Sequence, residues 1–268
     1  MEETTRPRDA VGAATIAQAF RIISANRADE VAIRTKGDEV AWTWGELRAR
    51  VDALAGGLAA LGLRRGDTVA LLLNTRPEFA VCDLAAMMAG ATPFSIYMQY
   101  TPEQVRFVAS DAGARILFTE QGLLAGALEA RRELPDLEHV IVVDGDAPEG
   151  VVPLEAIADD GFDVEESVAS IEPGDVLTLI YTSGTTGPPK GVQLSHRNIM
   201  TTVMGVEQMI HLPPDGRVVS WLPSAHIAER NAHHYIPIVF GLTVTTCDNP
   251  RDVLQYLPEV HPSWFFAV

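Results

Sequence analysis

The chain has 268 residues, which predicts about two domains at roughly 100–200 residues each. Forty-seven per cent of the residues are apolar and 21% charged, a globular usage that excludes wholesale disorder. The net charge of −16 leaves no basic footprint for general nucleic-acid binding.

Two cysteines 165 positions apart, Cys82 and Cys247, exclude a disulfide framework and a zinc ribbon and predict a reducing, cytoplasmic home. No basic segment followed by an apolar stretch opens the sequence, and no apolar run approaches the ~20 residues of a spanning helix. A soluble intracellular protein without an integral membrane segment is expected. Between Glu133 and Asp175 stand 14 acids and no Lys or Arg, and the rest of the chain carries only −2. Such a run could be an acidic docking surface; the reading adopted is a solvated, loop-rich connector, 133–175.

In chain order, 31–34 and 40–44 flank Lys36-Gly37-Asp38 as a hairpin. Thr43 and Glu46 form a capping box, and Leu47, Val51, Leu54, Leu58 and Leu61 recur at helical steps until Gly62. Thr68 opens a continuous apolar strand through 73. A helix over 78–89 follows, then a strand over 91–97. Thr101-Pro102 caps the next helix, which Gly113 closes before a strand over 115–119, a helix near 123–132 and a strand over 140–143. This β-α-β-α-β-α-β order predicts a parallel sheet with helices on both faces. After the connector come a strand over 176–181, a Gly-rich turn and a helix over 196–210. A further set then alternates strand, helix, strand, helix, strand over 217–222, 227–239, 242–247, 251–260 and 264–268. The expected class is α/β, with two stacked subdomains of largely parallel sheets flanked by helices. Residues 1–66 would contribute to the second subdomain, 67–175 would form the first, and 176–268 would carry the Gly-rich turn and the second. The sequence stops on an apolar run, Ser263 to Val268, and the expectation is a piece of something longer.

The Gly-rich turn holds the most chemistry. Tyr181-Thr182-Ser183-Gly184-Thr185-Thr186-Gly187-Pro188-Pro189-Lys190-Gly191 follows a buried strand, where open α/β sheets bind ligands. Its glycines let backbone N–H groups approach an anion; four hydroxyls and one of the only two lysines, Lys36 and Lys190, add donors. Such a concentration suits a polyphosphate. It is not a Walker A loop, because Pro189 rather than Gly precedes the lysine.

This stretch, continued by Gln193-Leu194-Ser195-His196-Arg197-Asn198, resembles the signature of the adenylate-forming superfamily of AMP-binding enzymes. The resemblance runs from about Ala14 to the last residue. It implies a two-step ligase: a carboxylate attacks the α-phosphate of ATP to give an acyl-adenylate and pyrophosphate, and coenzyme A then displaces AMP. It also implies that Thr182, Ser183, Gly184, Thr185, Thr186, Gly187 and Lys190 hold the β- and γ-phosphates, with Thr182 on the Mg²⁺ side. Donors so placed would stabilise charge on the departing pyrophosphate.

A second segment, Leu222-Pro223-Ser224-Ala225-His226-Ile227-Ala228-Glu229-Arg230, opens a helix on which His226, Arg230 and His233 share one face. A metal reading would use His226, His233 and His234, but no carboxylate stands at a recognised spacing. The plain alternative is a polar face with ordinary histidines. The segment is similar to the superfamily's acyl-pocket motif, which implies a catalytic place for His226 beside the carboxylate. With Phe265-Phe266-Ala267-Val268 it resembles the long-chain fatty acyl-CoA synthetase branch, and a fatty acid is the expected substrate.

Absent from the sequence are the superfamily's aromatic-Gly-x-Thr-Glu and Thr-Gly-Asp segments, its hinge and its small domain with a catalytic lysine. An N-terminal part inactive alone is therefore expected, prone to self-association through an open sheet edge. The alternatives are a non-catalytic nucleotide-binding module or an adenylating ligase for an aromatic or amino acid. Peripheral membrane contact is compatible with a long-chain substrate, although no strongly basic amphipathic helix supports it.

Overall fold

The computed structural model describes residues 10–159, 161–182, 188–210, 212–213 and 215–267. Helix α1 (Ile16–Asn26) starts at Thr15, whose side chain accepts from the Gln18 amide. Strands β1 (Val31–Thr35) and β2 (Ala41–Thr43) form the expected antiparallel hairpin, turning through Gly37 at φ 77°. Helix α2 (Trp44–Ala60) carries both bonds of the Thr43–Glu46 capping box. Next come β3 (Thr68–Leu72), α3 (Pro77–Met88), β4 (Thr92–Ser95) and α4 (Pro102–Ala112), the last with a Thr101–Gln104 capping box. They are followed by β5 (Ala114–Thr119), α5 (Leu124–Arg131), β6 (His139–Val142), the short β7 (Val152–Pro153) and α6 (Val164–Ser170). Strands β8 (Val176–Thr182) and β9 (Lys190–Ser195) and helix α7 (His196–Met209) follow. The rest comprises β10 (Arg217–Ser220), a helical stretch over 227–240, β11 (Thr243–Thr246) and α8 (Val253–Val260).

Two sheets result. The larger has seven strands in the order β7-β6-β5-β3-β4-β8-β9, parallel except for β9; the smaller runs β10-β11-β1-β2, parallel except for β2. The fold is thus α/β, with parallel-dominated sheets flanked by helices. Strand β3 shows why its apolar run is continuous. Val69 and Leu71 belong to the core shared with α1, α2 and α3, while Ala70 and Leu72 belong to a second core against α4 and α5. The first of these cores also takes Val218, Tyr235 and Val239, so the helices between the sheets join the two halves. Among the described residues no helix is long and apolar enough to cross a membrane.

Four expectations change. Strands β8 and β9 lie in the larger sheet beside β4, so a boundary at residue 176 would cut through that sheet. The hairpin partner β9 stands between the Gly-rich loop and α7, where a direct passage into the helix was expected. Residues 264–267 are not a strand. The Ser263 amide donates to the Arg217 carbonyl at 2.8 Å and the Trp221 indole to the Phe266 carbonyl at 3.1 Å, which lays this segment along β10 without a ladder. It covers part of the edge expected to stand open. Finally, 133–175 is no detached connector. It supplies β6, β7 and α6, and its acids meet arginines from elsewhere: Glu165 with Arg21 and Arg48, Asp175 with Arg65, Asp144 with Arg76, Glu133 with Arg106, and Glu138 with Arg115.

Candidate active-site cleft

The antiparallel register of β8 and β9 places Thr182 opposite Lys190 and Tyr181 opposite Gly191. Two residues eight positions apart in sequence therefore meet at the mouth of a hairpin, both exposed. Ser183, Gly184, Thr185, Thr186 and Gly187, named above as phosphate ligands, lie outside the described residues. Below the mouth the Tyr181 ring is buried, and its hydroxyl donates to Asp111 on α4 at 2.8 Å. Burial, then the bond to the Asp111 carboxylate, pushes the phenol well above its ordinary range. At Gly191 a Cβ would stand 3.0 Å from Cζ of the Tyr181 ring, so a larger residue there would press on it.

Across from the hairpin, His226 is the N-cap of the 227–240 helix and its Nδ1 accepts from the Ala228 amide at 3.1 Å. That bond consumes Nδ1 as an acceptor and leaves Nε2 as the N–H. The imidazole is exposed and lines a cleft of about 410 Å³ together with Thr182, Tyr181, Tyr97, Gln99 and Tyr100. The cleft lies outside the carboxyl ends of β4 and β8, where parallel sheets hold ligands. Of the residues singled out from sequence, Thr182 and His226 are brought together here, and Lys190 stands opposite Thr182 in the hairpin. Tyr97, Gln99 and Tyr100 escaped sequence reasoning; their signal was position alone, directly after a parallel strand. Burial raises the Tyr97 phenol above its ordinary range.

The expected face of His226, Arg230 and His233 does not form. The stretch 227–240 begins as α-helix (Ile227–Glu229), passes through a π-helix (Arg230–Tyr235) and ends as α-helix (Ile236–Phe240). Arg230 and His233 are buried while His226 is exposed. The π geometry brings residues five apart onto one side, and Arg230 accordingly donates to the Tyr235 hydroxyl through Nε at 3.0 Å and Nη2 at 2.8 Å. Arg230 also pairs with Asp83 on α3 and donates to Ser95 Oγ at 2.9 Å. Burial opposes ionisation of Asp83, but Arg230 and His234 outweigh it and hold the carboxyl below its usual range.

Nor do the histidines share a metal. His233 Nδ1 lies 2.7 Å from Glu229 and His234 Nε2 lies 2.8 Å from Asp83. Among the described residues no cluster of three His, Cys, Asp or Glu side chains could hold an ion. For Mg²⁺ the described cleft offers the Thr182 hydroxyl and no carboxylate. That donor set fits an ion bound chiefly through substrate phosphates, the usual habit of this cation.

The fold and cleft define an α/β protein with an open cleft at the carboxyl ends of a parallel sheet. The chain belongs to the AMP-binding enzyme family, whose model matches residues 20–268. Long chain acyl-CoA synthetase 6, peroxisomal, of Arabidopsis thaliana is 31% identical over 246 residues, covering 87% of this chain and 35% of that protein. 4-Coumarate–CoA ligase 3 of Oryza sativa subsp. japonica is 36% identical over 198 residues, covering 71% and 34%. The crystal structure of the anthranilate CoA ligase AuaEII in complex with anthranoyl-AMP shares the fold, with a TM-score of 0.83 at 21% identity over 94% of this chain and 49% of that one. This chain spans about a third of the length of the two curated relatives.

Proposed function

We propose that this chain is the ATP-binding part of a ligase that activates a long-chain fatty acid as its acyl-adenylate and passes it to coenzyme A. The observation that carries the reading is the hairpin mouth, where Thr182 and Lys190 stand opposite each other and Thr182 shares a cleft with His226. The Lys190 ammonium and the hydroxyls and amides of 182–187 bind the β- and γ-phosphates and stabilise the charge that gathers on pyrophosphate as it leaves. Thr182 would lie on the side of Mg²⁺, which when bound would supply further charge neutralisation. His226, with its Nε2–H free, donates to the carboxylate and orients it toward the α-phosphorus. Coenzyme A sulfur then attacks the acyl carbon, the acyl–phosphate bond breaks, and AMP departs with the electron pair.

The relatives' names span long-chain, coumarate and anthranilate ligases, so the choice of acid is tested directly. ATP–pyrophosphate exchange by the complete gene product is measured with alkanoates of increasing length, coumarate and amino acids. Exchange that rises with chain length supports the fatty-acid reading; exchange confined to an aromatic or amino acid replaces the substrate. No exchange with any carboxylate sinks the ligase reading in favour of a nucleotide-binding module.

A further inference from the structure

Glu229 and Arg230 follow His226 by three and four positions, both are buried, and neither faces the cleft. Their hydrogen bonds nevertheless converge on the segment that presents His226. Glu229 accepts from the Leu222 amide at 3.0 Å and from Ser220 Oγ at 2.5 Å, closing the loop 220–229 back onto the end of β10. Arg230 reaches the other way, to Asp83 of α3 and Ser95 of β4 in the larger half, at zero solvent exposure on both charges. Its own backbone amide donates to the His226 carbonyl at 3.2 Å. The link from the buried pair to the histidine is therefore one backbone hydrogen bond long.

A buried ion pair is expensive, because the desolvation penalty of two charges rivals their attraction, and apolar replacements of similar volume are often neutral. Stability alone is thus a poor reason for placing a guanidinium here. What the pair does provide is direction. The planar fork binds Asp83, Ser95 and Tyr235 at once, and the π turn sets Tyr235 where the fork requires it. We propose that Glu229 and Arg230 are positioning residues: one anchors the His226 segment to β10, the other anchors it across the two sheets, and together they fix where the imidazole enters the cleft. This assignment rests on the reading of His226 as the group that orients the carboxylate.

The test is fatty-acid-dependent ATP–pyrophosphate exchange by the complete gene product carrying Glu229→Gln, Arg230→Lys and His226→Ala, singly and combined. Misplacement of about 1 Å costs on the order of 10²-fold in rate. Each positioning variant is expected to lose kcat on that order, with KM for ATP unchanged within about twofold. In the His226→Ala background Arg230→Lys is expected to add no further loss, because it acts through the missing ring. Wild-type kcat in a folded Arg230→Lys or Glu229→Gln protein, or losses that multiply in the His226→Ala background, would overturn the proposal. If His226→Ala alone keeps wild-type exchange, the reading of His226 fails and the positioning role falls with it. Should Arg230→Lys not fold, Ser95→Ala removes a single bond of the fork, and ¹⁵N resonances of the His226 ring report its placement. A shifted ring resonance supports the role, and an unshifted one refutes it.

Discussion

At the scale of single residues, two side chains make separate predictions. Lys190 is exposed at the hairpin mouth, so Lys190→Ala leaves the fold intact and removes one charged donor from the phosphates. A hydrogen bond to a charged group is worth roughly 1.5–3 kcal/mol, and binding of Mg·ATP or pyrophosphate, followed by calorimetry, is expected to weaken by about 10- to 100-fold. Unchanged affinity would remove Lys190 from the site. His196 is buried at the start of α7, and its Nδ1 accepts from the Ile16 amide at 3.2 Å, joining α7 to α1. Burial, opposed weakly by Asp175, pushes its imidazole from 6.5 down to about 4. The unfolded chain therefore binds more protons between those values, so stability is full above about 6.5 and falls as pH drops toward about 4. The slope approaches ~1.4 kcal/mol per pH unit. Denaturant midpoints across this window are expected to fall less steeply in His196→Asn, which keeps an acceptor but cannot titrate; parallel profiles would contradict the assignment.

At the scale of elements, the best-read pieces were those whose instructions are local. Thr43 and Glu46 announce α2 three residues apart, and Thr101-Pro102 announces α4; both caps form as read. Strand β9 was missed because Gly191 to Ser195 sits on the sheet's edge, mostly exposed, where no burial pattern marks it. The π turn was missed for a different reason. Side-chain spacing reports 3.6-residue periodicity, whereas the register over 230–235 is set by what Arg230 must reach in α3 and β4. Helix α2 hides a similar dependence. A Cβ on Gly56 would lie 2.0 Å from the Asp159 carbonyl oxygen, so the strap over 157–159 rests on bare helix backbone. Helix propensity alone favours alanine by about 1 kcal/mol, yet Gly56→Ala is expected to destabilise by ~1–3 kcal/mol through overpacking. A thermal midpoint that rises instead would show that the strap does not press on α2.

At the scale of the whole molecule, the acidic segment is where charge counting misled. A segment with 14 acids and no Lys or Arg reads as solvated, but six arginines distant in sequence meet its carboxylates. Only the fold brings them together, so no local rule could have supplied the pairing. Hydrogen exchange distinguishes the two pictures: amides of β6 should be protected about as well as those of β5, whereas a loose connector would exchange at once. The parallel pairing of β3 to β6, in contrast, was legible from strand–helix alternation alone. So was the start of the Gly-rich turn at the end of β8, where Thr182 shares one cleft with His226. The most direct test of that joint site is acid-dependent ATP–pyrophosphate exchange by the complete gene product, with Lys190→Ala and His226→Ala beside the wild type. The expected result is exchange with long-chain fatty acids that each substitution lowers on the order of 10-fold or more. Exchange that neither substitution affects would contradict the placement of the active site between the hairpin mouth and the 227–240 helix.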